Sequence, residues 1–146
     1  MTAARRSRSA AWAAGGLSAL LVTTGLLHLL APADFESIVP RLLGAPAFWV
    51  YLSGVAELAC AAAIALPRTR HVGGLAAAAL FVAVFPANVQ MALDAHGGRD
   101  LLIAWGRLPL QIPLVAWALY VARHSRRGRG PRDAPPGVTA GAATRG

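Results

Sequence analysis

Five polar side chains, His28, Glu57, Asn88, Arg107 and Gln111, stand inside stretches of the chain that are otherwise apolar. Their types suit proton transfer and hydrogen bonding. An imidazole and a carboxylate can pass a proton between them, and two carboxamides can each donate and accept. A guanidinium carries five N–H donors and stays charged wherever it is placed. Polar pairs four residues apart share one helix face: Thr24 with His28, Ser53 with Glu57, and Arg107 with Gln111. A charge at the centre of a membrane helix costs about 2.5–3.5 kcal/mol on insertion scales, so a buried Arg107 needs an acceptor. Glu57 is the acidic side chain of the four apolar runs, which predicts an Arg107–Glu57 ion pair. Pro86 lacks an N–H and so frees the carbonyl of Val82, for which Asn88 or Arg107 would supply the donor. Pro109 and Pro113 do the same to the carbonyls of Trp105 and Pro109.

Each of these residues also has a plainer use. Asn88 and Gln111 fit interhelical hydrogen bonds as well as a ligand. His28 fits a structural or interfacial histidine as well as a base. Trp12, Trp49, Trp105, Trp117, Tyr51 and Tyr120 fall mostly near run ends and read as interfacial belt residues. The chain has no HExxH, P-loop or GxSxG motif. The lone Cys60 excludes an internal disulfide or a CxxC pair and reads as a packing residue. No catalytic residue and no metal ligand is assigned on this basis.

The apolar runs that must position these groups are Ala11–Ala31, Ala47–Leu66, Val72–Leu93 and Leu101–Ala122. At 1.5 Å per residue, about 20 residues cross a hydrocarbon core of roughly 30 Å. A hydrophobic fraction of 56%, against 14% charged residues, agrees with that use. The fold class expected is all-α: a membrane-embedded antiparallel four-helix bundle, residues 11–122. The net charge of +8 does not point to nucleic acid. Its arginines collect at Arg5, Arg6 and Arg8, at Arg68 and Arg70, and in the tail from Arg123 onward. Four crossings put those regions on one side, and the positive-inside rule makes that side cytoplasmic, N-in and C-in. Residues 1–10 and 123–146 read as disordered basic tails. The first run is longer than a signal-peptide core and reads as a retained span.

The connection after the first run, APADFESIVPRLLGAP, is too long for a tight turn. Phe35, Ile38, Val39, Leu42 and Leu43 recur at helical spacing, which predicts a short interfacial helical segment with Asp34 as N-cap and Pro40 dividing it. It would lie over whatever opens at that end. Gly15, Gly16, Gly25, Gly54, Gly73, Gly74 and the Ala76–Ala79 run would allow close helix contacts. Counted from the outer ends of the runs, His28 lies about 5 Å deep, Asn88 about 8 Å, Arg107 about 9 Å, and Glu57 and Gln111 about 15 Å. The polar set therefore defines a chamber in the outer half of the bundle.

The stretch from GLLHLLAPADF through LACAAAIALPRTR, then VFPANVQMA, then WGRLPLQIPLVAW, resembles the DoxX family of small bacterial four-helix membrane proteins. The resemblance runs from Gly25 to Trp117; Leu29 after His28 departs from the family's usual histidine–aromatic pairing. It implies a multi-pass protein of the bacterial cytoplasmic membrane, associated with redox complexes; it names no cofactor, and a quinone is one candidate. Partners would be the lipid bilayer, a membrane or peripheral oxidoreductase and further copies of the chain, with no nucleic acid. In that reading His28, Glu57, Asn88, Arg107 and Gln111 bind a quinone-like or other small amphipathic molecule or relay protons. The alternatives are a permeation or transport element, and a scaffold whose polar residues only fix helix packing.

Overall fold

The computed structural model describes residues 3–126. Its helices are α1 (Ala3–Leu30), α2 (Ala33–Glu36), α3 (Pro46–Ala65), α4 (Arg70–Ala83), α5 (Phe85–Asp94) and α6 (Gly98–Arg126), with a 3₁₀ turn at Arg41–Leu43 between α2 and α3. Helices α4 and α5 form one bent rod. Four rods, Arg8–Leu30, Pro46–Ala65, Arg70–Asp94 and Leu101–Ser125, are long and apolar enough to cross a membrane. Helix α1 starts at Ala3 and α6 runs on to Arg126, so the described parts of both expected tails are helical. The rest of those tails lies outside the described residues.

The packing is antiparallel and set by small residues. Gly25 of α1 faces Gly54 of α3, while Ser18, earlier in α1, bonds the carbonyl of Ala61, later in α3. A Cβ built on Gly25 would stand 2.9 Å from the Gly54 carbonyl oxygen, and one on Gly54 would stand 3.0 Å from that of Gly25. Helix α4 is wedged on two sides at once. A Cβ on Gly73 would meet the backbone of Ala63 and Ile64 at 2.8 Å, and one on Gly74 would meet the Ala122 nitrogen at 2.8 Å. Gly15, by contrast, has nothing within 4 Å of such a Cβ and takes no part in this packing. Trp117 is not free at a bundle edge as expected of a belt residue. Its Nε1 donates to the Ala13 carbonyl at 3.0 Å and its ring lies on Gly16, tying α6 to α1.

The apolar core lies toward the end of the bundle that carries both chain termini, here the terminal end. Leu17, Leu21, Ile64, Ala77, Ala118 and Val121 pack there at 0–1% exposure. Side chains close the helix ends at that same side. Arg70 donates through Nε to the Ile64 carbonyl and through Nη2 to that of Ala65, at 2.8 and 3.2 Å. His71 Nδ1 lies 2.8 Å from the Ala122 carbonyl, which fixes that nitrogen as the donor. The Ile64 and Ala65 carbonyls would otherwise end α3 unpaired. Arg70→Ala should therefore lower stability by about 1 kcal/mol, read from thermal melting in detergent.

Pro86 breaks the third rod where the sequence predicts. The Val84 N–H still reaches the Leu80 carbonyl at 3.0 Å, but the amides of Ala87 and Asn88 both turn to the Val84 carbonyl. A proline in the second position of α5 needs no N–H, so the new helix starts there readily. Pro109 and Pro113 leave α6 continuous. The segment over the other end forms as expected in kind, with Pro40 separating α2 from the 3₁₀ turn. Asp34 does not cap α2; Pro32 holds that position and Asp34 lies in the first turn. Of its expected apolar face, Phe35, Ile38 and Val39 are half-buried, whereas Leu42 is 97% exposed.

Candidate functional site

Each of the five polar residues lies beyond the centre of the apolar core, toward α2, and they fall into two neighbouring groups and one outlier. The first group is His28 with Glu57. Glu57 is 7% exposed, and its Oε2 lies 3.4 Å from His28 Nδ1. The two helices run in opposite directions and helical side chains lean toward their own N-termini. His28 stands three residues past Gly25 and Glu57 three past Gly54, so the two side chains lean toward each other across the glycine contact. The His28 Cβ itself lies 3.0 Å from where a Gly54 Cβ would be.

The imidazole is not free to satisfy the carboxylate. Its Nδ1 is 2.8 Å from the Thr24 carbonyl, an acceptor only, so Nδ1 carries the hydrogen and directs it there. The 3.4 Å approach to Glu57 is then an electrostatic contact, and Glu57 Oε2 is a buried oxygen with no hydrogen-bond donor. Oxygens of this kind are rare, because the lost hydration is not replaced. On the side toward α2 the imidazole stacks on Phe35, with centroids 4.2 Å apart.

The second group is Asn88, Gln111 and the Phe81 carbonyl. Gln111 Nε2 donates to the Phe81 oxygen. That carbonyl can only accept, which fixes the orientation of the carboxamide and leaves Gln111 Oε1 to receive Asn88 Nδ2 at 3.1 Å. The carbonyl served at the proline break is thus Phe81 and not Val82, and its donor comes from α6 rather than from Asn88 or Arg107. Phe81 lies eight residues beyond Gly73 on α4, and Ala56 lies eight residues before Ile64 on α3. Gly73 and Ile64 touch, so in this antiparallel pair Phe81 comes level with Glu57. Both groups occupy one layer of the bundle.

Arg107 is the outlier. It is exposed, and its Nη1 donates to the Met91 sulfur at 3.4 Å. Among the described residues no ion pair joins it to Glu57, whose ionisable neighbour is His28. The expected Arg107–Glu57 pair is therefore absent. A guanidinium on the outside of the bundle can extend along its own stem toward the membrane surface and does not require a carboxylate. Arg107→Ala should change stability by no more than about 0.5 kcal/mol, measured by melting, where a buried ion pair would cost several times that. Sequence reasoning also missed Phe35 and Met91 as neighbours of the site. It had the signal for His28 and Glu57 in the matching Gly-x-x-polar spacing on α1 and α3.

Among the described residues no three His, Cys, Asp or Glu side chains cluster as a metal site. A groove of about 580 Å³ lies between α1 and the end of α3, lined by Gly15, Ser18, Thr23 and Arg70 among others, at the terminal end and away from this layer.

The fold and site define a class: an all-helical bundle of four long apolar rods with a polar layer toward one end. Residues 17–122 match the family described as a domain of unknown function, DUF8561, and the chain belongs to that family. No curated protein and no solved structure gives a significant match.

Proposed function

We propose that the protein is a multi-pass protein of a bacterial cytoplasmic membrane, DoxX-like in kind, with both termini inside and α2 at the outer surface. In this reading it is a redox-associated membrane subunit that binds a quinone-like or other small amphipathic molecule in the layer formed by His28, Glu57, Asn88 and Gln111. The supporting observation is the buried Glu57 oxygen, left without a donor while Gln111, the other buried polar side chain among the described residues, is satisfied. A carboxylate kept in apolar surroundings at that cost is a site hypothesis by default. Arg107, on the outside of the bundle, would stand at the mouth with its guanidinium among the headgroups.

The test is ligand titration. The protein in nanodiscs should take up a short-chain quinone or its reduced form saturably, and Glu57→Leu should remove that uptake. No saturable uptake of either form would sink the reading. A scaffold function is favoured by one observation, the closed chain Asn88–Gln111–Phe81, which offers packing and asks for no ligand. A scaffold would tolerate Glu57→Leu without loss in any assay except helix association.

A further inference from the structure

The polarity of the site indicates which end of a hydrogen bond its ligand must supply. Each donor nitrogen of the interior layer already has an acceptor for one of its hydrogens. His28 Nδ1 gives its hydrogen to the Thr24 carbonyl, Gln111 Nε2 to the Phe81 carbonyl, and Asn88 Nδ2 to Gln111. The Arg107 guanidinium is turned to Met91 at the exposed surface. What remains unsatisfied in the interior is an acceptor, Glu57 Oε2. A ligand headed by a carbonyl would bring a second acceptor to a place that already has one too many. A ligand headed by O–H would bring the missing donor.

We infer that the site takes a lipophilic hydroxyl compound, such as a phenol or the reduced, hydroxylated form of a quinone, whose O–H donates to Glu57 Oε2. This rests on the ligand-binding reading above and sharpens it, because it reverses the hydrogen-bond direction that a quinone held by Asn88, Gln111 and Arg107 would have. Phe35 of α2 stacks on His28, whose Nδ1 lies 3.4 Å from Glu57 Oε2, so the side toward α2 is the one from which a ring would approach. Phe35 belongs to the four-residue helix α2, which follows Pro32 and has no fully buried residue. The aromatic pair gives an incoming phenol a flat face to lie against.

The experiment compares three probes on the intact protein in nanodiscs, anaerobically: a methylated hydroquinone, its dimethyl ether and its quinone. The three share ring and substituents, and the hydroquinone alone carries O–H donors. The hydroquinone should bind at least tenfold more tightly than the ether and the quinone (about 1.4 kcal/mol). Glu57→Gln keeps the shape but adds an N–H donor, so it should erase that preference and improve quinone binding. Quinone binding as tight as hydroquinone binding in the unaltered protein would overturn the inference while leaving the binding site in place. So would a preference that survives Glu57→Gln. If none of the three binds, the ligand-binding reading fails along with it. The three-probe comparison is made on the unaltered protein, so it decides the question even if the Glu57→Gln protein misfolds.

Discussion

Gly74→Ala should loosen α4 from α6 and lower stability by about 1–3 kcal/mol, the range for forcing a methyl group into a packed core. The added Cβ would stand 2.8 Å from the Ala122 nitrogen and 2.9 Å from the Ala118 carbonyl oxygen, and backbone atoms cannot step aside as a flexible side chain can. Alanine's better helix propensity, about 1 kcal/mol over glycine, works against the loss and does not cancel it. The neighbouring Gly73→Ala should behave alike through Ala63 and Ile64. Because the two glycines meet different neighbours, α3 and α6, the double substitution should cost more than either alone. Gly15→Ala is the control: its Cβ meets nothing, so only the propensity gain remains and melting should rise slightly. Melting curves in one detergent decide the matter. A Gly74→Ala protein as stable as the parent would show that the helices do not approach this closely.

The second large effect is expected at Gln111. Replacing it by leucine leaves both the Phe81 carbonyl and the Asn88 amide without their partner, at about 1–3 kcal/mol for each group that stays buried and unpaired. The carbonyl matters more, since it sits at the proline break and has no helical amide to fall back on. Asn88→Leu alone should cost less, because Gln111 keeps its bond to Phe81. Adding Asn88→Leu to Gln111→Leu should then cost less than it does alone, a coupling that a double-mutant cycle measures directly. Strict additivity would mean that the two side chains do not bond.

The rods were legible in the sequence because run length, basic loops and prolines each mark a helix independently, and Pro86 fell at a real joint beside Val84. The site was legible as a set of residues but not as a set of bonds. His28, Glu57, Asn88 and Gln111 do share one layer, yet the partner assigned to Glu57 was the strongest charge rather than the nearest side chain. Depth along a helix follows from counting residues, but rotation about its axis does not. Arg107 had the right depth and pointed outward. The close approach of Gly25 and Gly54 was the stronger clue, because two glycines that touch bring the residues three positions on within reach of each other. Side-chain-to-carbonyl ties such as Trp117 to Ala13 could not be foreseen, since they depend on how two distant helices are rotated.

The position of the main apolar cluster toward the terminal end has a dynamic consequence. Amide protection in a folded protein follows the free energy of the smallest opening that exposes each group, and such openings spread from the sparsely packed end. Deuterium should therefore enter α2, α5 and the first turns of α3 and α6 well before it enters the segments around Leu17, Ile64, Ala77 and Val121. The molecule would breathe at one end like a tube pinched at the other, and a guest could come and go there while the rest of the fold keeps its shape.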